Sequence, residues 1–165
     1  IKINIIITKD LMTEIYINIY NNLIKLTRNK NLYNDNKQDS FYDRIIIFFF
    51  HLGFLLKNYK DQETKENLQN FFDFCIRQIE LSIREIGYGD ATINKKMKEY
   101  VNLLFAIIDN IENWDKYNNE KRLEILKNYI EDAKNYENYL KYIDKYRSFL
   151  AKNTFNNLTK DILNL

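Results

Sequence analysis

Residues 82–90 read SIREIGYGD and join two long amphipathic segments, so this stretch decides how the chain folds back on itself. The 165-residue chain has 3 glycines and no proline, and two of the glycines, Gly87 and Gly89, lie here. Glycine after the last turn of a helix tolerates a positive φ that strains other residues. Gly87 is therefore expected to end one helix, and Asp90 or Thr92 is expected to cap the next.

Apolar residues recur at helical spacing through most of the chain. The stripes run from Leu11 to Leu26, Leu68 to Ile86, Ile93 to Ile111 and Leu123 to Ile143, the last with a break near Tyr136. Residues 29–38 and 117–119 are predicted to be loops, and residues 148–165 a short final helix. No pattern typical of strands is visible. The sequence predicts an all-α fold, a single domain over residues 1–165 built as a bundle of about five to seven helices.

The apolar run at residues 45–56, IIIFFFHLGFLL, is the only candidate for a membrane span. It lies between Arg44 and Lys57, so it has about a dozen residues where a span needs roughly 20. A short helix that is apolar on every side fits the centre of a bundle. We therefore expect a core helix, capped by Asp39 or Ser40, in which Arg44 and His51 have structural roles and His51 is hydrogen-bonded.

Composition and motifs exclude several classes of function. The net charge is only +2, with 29% charged residues, which gives no reason to expect specific DNA binding. Cys75 is the single cysteine, so the chain has no internal disulfide, and one cysteine with one histidine cannot form the usual zinc sets. Phosphate-binding and hydrolase motifs are absent. We predict no enzyme activity, no cofactor and no metal; a ligand pocket around His51 is the enzymatic alternative.

The corner and the helix after it carry one distinctive pattern. Residues 84–90, REIGYGD, are followed by Lys95-Lys96-Met97. This pattern resembles the most distinctive motif of the ubiquinol–cytochrome c chaperone family, the assembly factors for the cytochrome b subunit of respiratory complex III. A later element, Lys127-Asn128-Tyr129, resembles an Arg-Asn element of the same family. The family usually has Gly-Arg after the aromatic residue of the fourth helix, whereas Phe105 is followed here by Ala106 and Ile107.

Two weaker patterns extend the resemblance over roughly residues 10–150, with residues 1–8 and 150–165 as extensions. Arg28 and Tyr33 have the family's Arg-x-Pro-x-x-Tyr spacing, although Lys30 replaces the proline. Arg44 matches the Arg at the start of the family's apolar second helix, and His51 matches the His within that helix.

The resemblance implies a non-enzymatic chaperone that binds newly made cytochrome b, or other respiratory-complex subunits, together with a small helical helper protein. It implies a mitochondrial location on the matrix side of the inner membrane, or the cytoplasm of an alphaproteobacterium. Contact with a ribosome or a membrane surface is also expected. The chain begins at Ile1 without an initiator Met, as a processed or trimmed chain would, and no secretory signal is visible.

The corner is the predicted recognition surface. Its partner-binding residues are Arg84, Glu85, Tyr88, Asp90, Lys95 and Lys96, held in place by the structural residues Gly87 and Gly89. Two alternatives stay open. The corner is only architecture, or the protein is a resident structural subunit of a large respiratory or ribosome-associated complex that keeps the chaperone fold.

Overall fold

A computed structural model describes residues 2–33, 40–131 and 135–160, with side chains described from Asp10 onward. Six α-helices and no strand occur in these ranges, which confirms the all-α prediction. The helices are α1 (Lys2–Thr27), α2 (Phe41–Tyr59), α3 (Lys65–Glu85), α4 (Asp90–Ile111), α5 (Asn119–Tyr129) and α6 (Tyr136–Lys152). Three short 3₁₀ helices follow α1, α4 and α6, at Lys30–Leu32, Trp114–Lys116 and Phe155–Thr159.

Helix α2 forms the centre of the core. Eleven consecutive residues from Ile45 to Leu55 are buried, because α1, α4 and α6 all pack against this helix. Gly53 allows α4 to come close: a Cβ atom at this position would lie 3.0 Å from Cδ1 of Ile111. No helix in the described parts of the chain is both long and apolar enough to cross a bilayer. The apolar run is a core helix, as its length predicts.

Local signals fix most helix ends. The Ser40 hydroxyl accepts from the Asp43 amide at 3.1 Å, and the Asp43 carboxylate accepts from the Ser40 amide, which forms a capping box at the start of α2. Ser40 is therefore the cap; the alternative, Asp39, lies outside the described residues. Asn118 and Asn135 cap α5 and α6 with their side chains alone, which accept from backbone amides of the first turn.

Three sequence expectations are wrong in detail. Neither Asp90 nor Thr92 caps α4; the N-cap is Gly89, which has no side chain to accept a hydrogen bond. Residues 148–152 belong to α6, and the chain after them forms a 3₁₀ helix rather than a short α-helix. Leu11 lies on the predicted apolar stripe but is 56% exposed.

Four helix ends meet at one end of the bundle. The last turns of α1 and α3 and the first turn of α2 line one cavity, and α4 begins directly after the corner that ends α3. The corner at residues 86–89 and the N-terminus of α2 therefore share this end of the molecule.

Candidate functional site at the corner between α3 and α4

The corner turns on Gly87. Ile86 is the last residue with helical angles, and Gly87 follows it with φ +97°, which confirms the expected positive φ. Its amide donates to the Arg84 carbonyl at 2.9 Å, closing the end of α3. Gly89 has an ordinary extended conformation at φ −69°. Only the first of the two glycines is therefore required by the backbone.

Arg84 joins the two helices across the corner. Its guanidinium donates to the Asp90 carboxylate at 2.7 Å and to the Glu80 carboxylate at 2.9 Å. These hydrogen bonds raise the pKa of Arg84, with Asp90 as the larger contribution and Glu80 the next. All of this is at the surface, and Asp90 is highly exposed, so the bridge orients the corner more than it stabilises the fold.

The two lysines of the motif are placed differently. The Lys96 ammonium lies 4.9 Å from the centre of the Tyr88 ring, within reach of a cation–π interaction. Lys95 is exposed, as is Glu85 at the end of α3. None of these three side chains forms an ion pair within the described residues. Their charges are therefore available to a partner.

Apolar and aromatic groups surround these charges. Ile86 and Tyr88 are 52% and 44% exposed. Tyr100 lies nearby on α4: burial raises the pKa of its hydroxyl, and the proximity of Tyr88 and Tyr42 raises it further. Tyr42, in the first turn of α2, is itself exposed. The corner surface, defined as residues 84–90 with Lys95, Lys96, Tyr100 and Tyr42, thus combines cations with aromatic rings.

Sequence reasoning missed Tyr42 and Tyr100. Nothing in their spacing distinguishes them from the rest of the chain's 13 tyrosines. They are brought to the corner because α2 and α4 pack side by side in the core. The signal was tertiary, and no local pattern in the sequence indicated it.

His51 lies far from this surface, in the core between α2 and α6. Its Nδ1 donates to the Ile47 carbonyl at 2.7 Å, so Nε2 is the acceptor for the Tyr142 hydroxyl at 2.5 Å. Burial lowers the pKa of the imidazole to about 4. The neutral ring is hydrogen-bonded at both nitrogens, as the sequence predicts, and its structural role stays a prediction.

Arg28, Tyr33 and Arg44 cluster near the end of the bundle that carries the corner. The Tyr33 hydroxyl donates to the Thr27 carbonyl, which fixes the chain after α1. Arg28 and Arg44 are exposed and line the same cavity. Arg44 is thus at the surface where α2 begins, and not part of the core.

Groups suited to catalysis or metal binding are sparse. Cys75 is buried, and burial raises the pKa of its thiol well above the ordinary value, so it is a poor nucleophile. Within the described ranges, His, Cys, Asp and Glu side chains form no group of three that could hold a metal ion. The charged and aromatic groups of the corner are suited to non-covalent binding.

These features define an all-α bundle with a charged and aromatic corner. Residues 36–113 match the family model described as Ubiquinol-cytochrome C chaperone. The matched segment contains α2, α3, the corner and α4, which confirms the resemblance for just under half of the chain. The patterns at Arg28, Tyr33 and residues 127–129 lie outside it and stay predictions. The family match points to a chaperone role with proteins as partners. Neither a curated protein nor a solved structure matches the chain.

Proposed function

We propose that this protein is a non-enzymatic assembly chaperone for the cytochrome b subunit of respiratory complex III. The match of residues 36–113 to the chaperone family carries the proposal. That segment includes every residue of the corner surface.

The corner surface has the chemistry that a newly made membrane protein requires. Exposed Ile86, Tyr88 and Tyr42 offer apolar contact area to a client helix. Aromatic side chains of this kind anchor many protein interfaces, because they bury large area with few rotatable bonds. Lys95 and Lys96 can meet carboxylates at the client's helix ends or polar loops. Gly87 and the Arg84–Asp90 bridge keep these groups in a fixed arrangement before the client arrives.

The remaining partners follow from the same proposal. A small helical helper protein would bind a second surface of the bundle, and the lysines would also contact ribosomal or membrane phosphate. The protein would act on the matrix side of the mitochondrial inner membrane, or in the cytoplasm of an alphaproteobacterium. It would do so as one domain, without cofactor or metal.

Affinity purification of the full chain from its native source tests the proposal. Newly made proteins are pulse-labelled and then chased, and the recovered subunits are identified and quantified at each time. If the protein is a chaperone, labelled cytochrome b is recovered with it in a substoichiometric amount. The amount of label recovered then falls during the chase. Recovery of no respiratory-complex subunit at any time would contradict the proposal.

The same experiment distinguishes the resident subunit. A structural subunit would be recovered in equal amount with the mature complex, and the label would stay throughout the chase. That outcome would overturn the chaperone assignment while keeping the respiratory association.

A further inference from the structure

A cavity of about 300 Å³ opens between α1, α2 and the C-terminal part of α3. Its apolar wall is formed by Ile24, Ile45, Phe48 and Ile79. Pockets that bind small molecules usually have volumes of about 300–1,000 Å³, so this one can hold a small ligand or one end of a larger one.

Two arginines are among the described residues that line the cavity. Arg28 and Arg44 both line it and are exposed, and no acidic residue is among its described lining residues. Arg28 forms no ion pair within the described ranges. Two guanidinium groups near an apolar space attract an anion, because Arg donates to carboxylate and phosphate oxygens in a fixed planar geometry.

The interior adds neutral hydrogen-bonding groups. Burial raises the pKa of Tyr20 to about 12, with a hydrogen bond to Ser82 opposing that change, so the phenol keeps its proton. Tyr20 and Ser82 therefore line the cavity without bringing a negative charge to it, although the Ser82 hydroxyl already donates to the Gln78 carbonyl at 3.0 Å. The combination is a cationic rim, a few hydroxyl groups and an apolar wall.

We propose that this cavity binds an anionic amphiphile, with its carboxylate or phosphate head between Arg28 and Arg44 and its acyl chain against Phe48 and Ile79. A free fatty acid and a single acyl chain of an anionic phospholipid share this chemistry. The proposal is independent of the chaperone assignment, because no described lining residue of the cavity belongs to the corner surface.

Titration calorimetry of the full chain with decanoate tests whether the cavity binds the anionic head group and the alkyl chain. Decanol has the same alkyl chain without the charge and is the comparison. Saturable binding of decanoate that is clearly tighter than that of decanol is expected, since only the anion meets both arginines. Arg28→Gln with Arg44→Gln should weaken decanoate binding about tenfold or more, as lost hydrogen bonds to charged groups do. Lys25→Gln, an exposed position on α1 that does not line the cavity, is the matched control and should leave binding unchanged.

A second variant tests the cavity without removing charge. Ser82→Phe places a ring in the space and should abolish decanoate binding while circular dichroism and the melting temperature show an intact fold. Equal binding of decanoate and decanol, or decanoate binding that survives both variants, would overturn the proposal.

Flotation with vesicles separates the two sources of the ligand. Binding to phosphatidylcholine vesicles that contain phosphatidylglycerol, lost in the double arginine variant, would assign the site to a lipid. Decanoate binding without vesicle binding would assign it to a free fatty acid. If the protein binds neither decanoate nor the vesicles, the proposed site is refuted.

Discussion

The Nε2 atom of His51 in α2 accepts a hydrogen bond from the Tyr142 hydroxyl in α6, across a distance of 2.5 Å. The other ring nitrogen donates to the Ile47 carbonyl one turn earlier, so the tautomer is fixed and the ring is neutral. Tyr146 completes the junction by donating to the His51 carbonyl at 2.9 Å. Residue pairs that lie 91 and 95 positions apart in the chain thus join α2 and α6 through one polar junction inside an apolar core.

The first prediction concerns the pH dependence of stability. Burial lowers the pKa of His51 from 6.5 to about 4. Between these values the unfolded chain binds a proton that the folded chain does not. The free energy of unfolding should therefore fall as the pH is lowered below 6.5, by up to about 1.4 kcal/mol per pH unit. Urea unfolding at several values between about pH 5 and 6.5, where most carboxylates stay ionised, measures this slope.

His51→Gln is the control, because the chain has one histidine. The slope in this range should nearly disappear in the variant. An equal slope in both proteins would mean that another group titrates and that His51 is protonated in the fold.

The second prediction concerns Tyr142. Tyr142→Phe keeps the ring but leaves Nε2 of His51 without its donor, at a cost of about 1–3 kcal/mol in the free energy of unfolding. In a His51→Leu background the same change should cost much less, because the partner is already gone. A chemical-denaturation cycle of the four proteins gives the coupling. Equal costs in the two backgrounds would show that the hydrogen bond contributes nothing.

The third prediction compares the two glycines of the corner. Gly87→Ser forces a side chain into φ +97° and should cost about 1–2 kcal/mol in the free energy of unfolding. Gly89→Ser is the matched control: φ is −69°, no atom lies within 4 Å of a new Cβ, and serine can cap α4. It should be neutral or stabilise by a few tenths of a kcal/mol. Thermal unfolding distinguishes the two; equal losses would contradict the assigned roles.

The fourth prediction separates binding from folding. Lys95→Glu with Lys96→Glu reverses two charges on the corner surface, and exposed charges usually contribute less than about 1 kcal/mol to stability. The melting temperature should change little, while recovery of the client falls and becomes less sensitive to salt. Lys141→Glu with Lys145→Glu makes the same charge change at exposed positions of α6 and should leave recovery intact. Unchanged recovery of the client with the corner variant would show that the corner has only a structural role.

Much of the fold could be predicted because local sequence patterns indicate the helices. The buried faces of α3 and α4 follow the apolar periodicity, the unbroken apolar run identifies α2 as the core helix, and Ser40 is a recognisable cap. The start of α4 was mispredicted because a polar side chain near a helix start does not show whether it caps. Gly89 takes that position, and Asp90 is drawn instead to Arg84.

Only the part of the candidate site that is contiguous in the sequence could be predicted. The motif at residues 84–96 is local, so its residues could be named from the sequence. Tyr42 and Tyr100 join it through packing of α2 on α4, which no spacing rule reveals. The cavity at Arg28 and Arg44 escaped prediction for the same reason, since three helices build it.

The central position of α2 has a consequence during synthesis of the protein, because the chain is made from its N-terminus. Its apolar residues emerge early, whereas two of the three helices that cover them, α4 and α6, are translated later. Until residues 136–152 are made, the face of α2 around His51 has no Tyr142 or Tyr146 to cover it. Each nascent copy therefore exposes an aggregation-prone helix until its own C-terminal part arrives. A copy truncated before α6 would carry that hazard permanently.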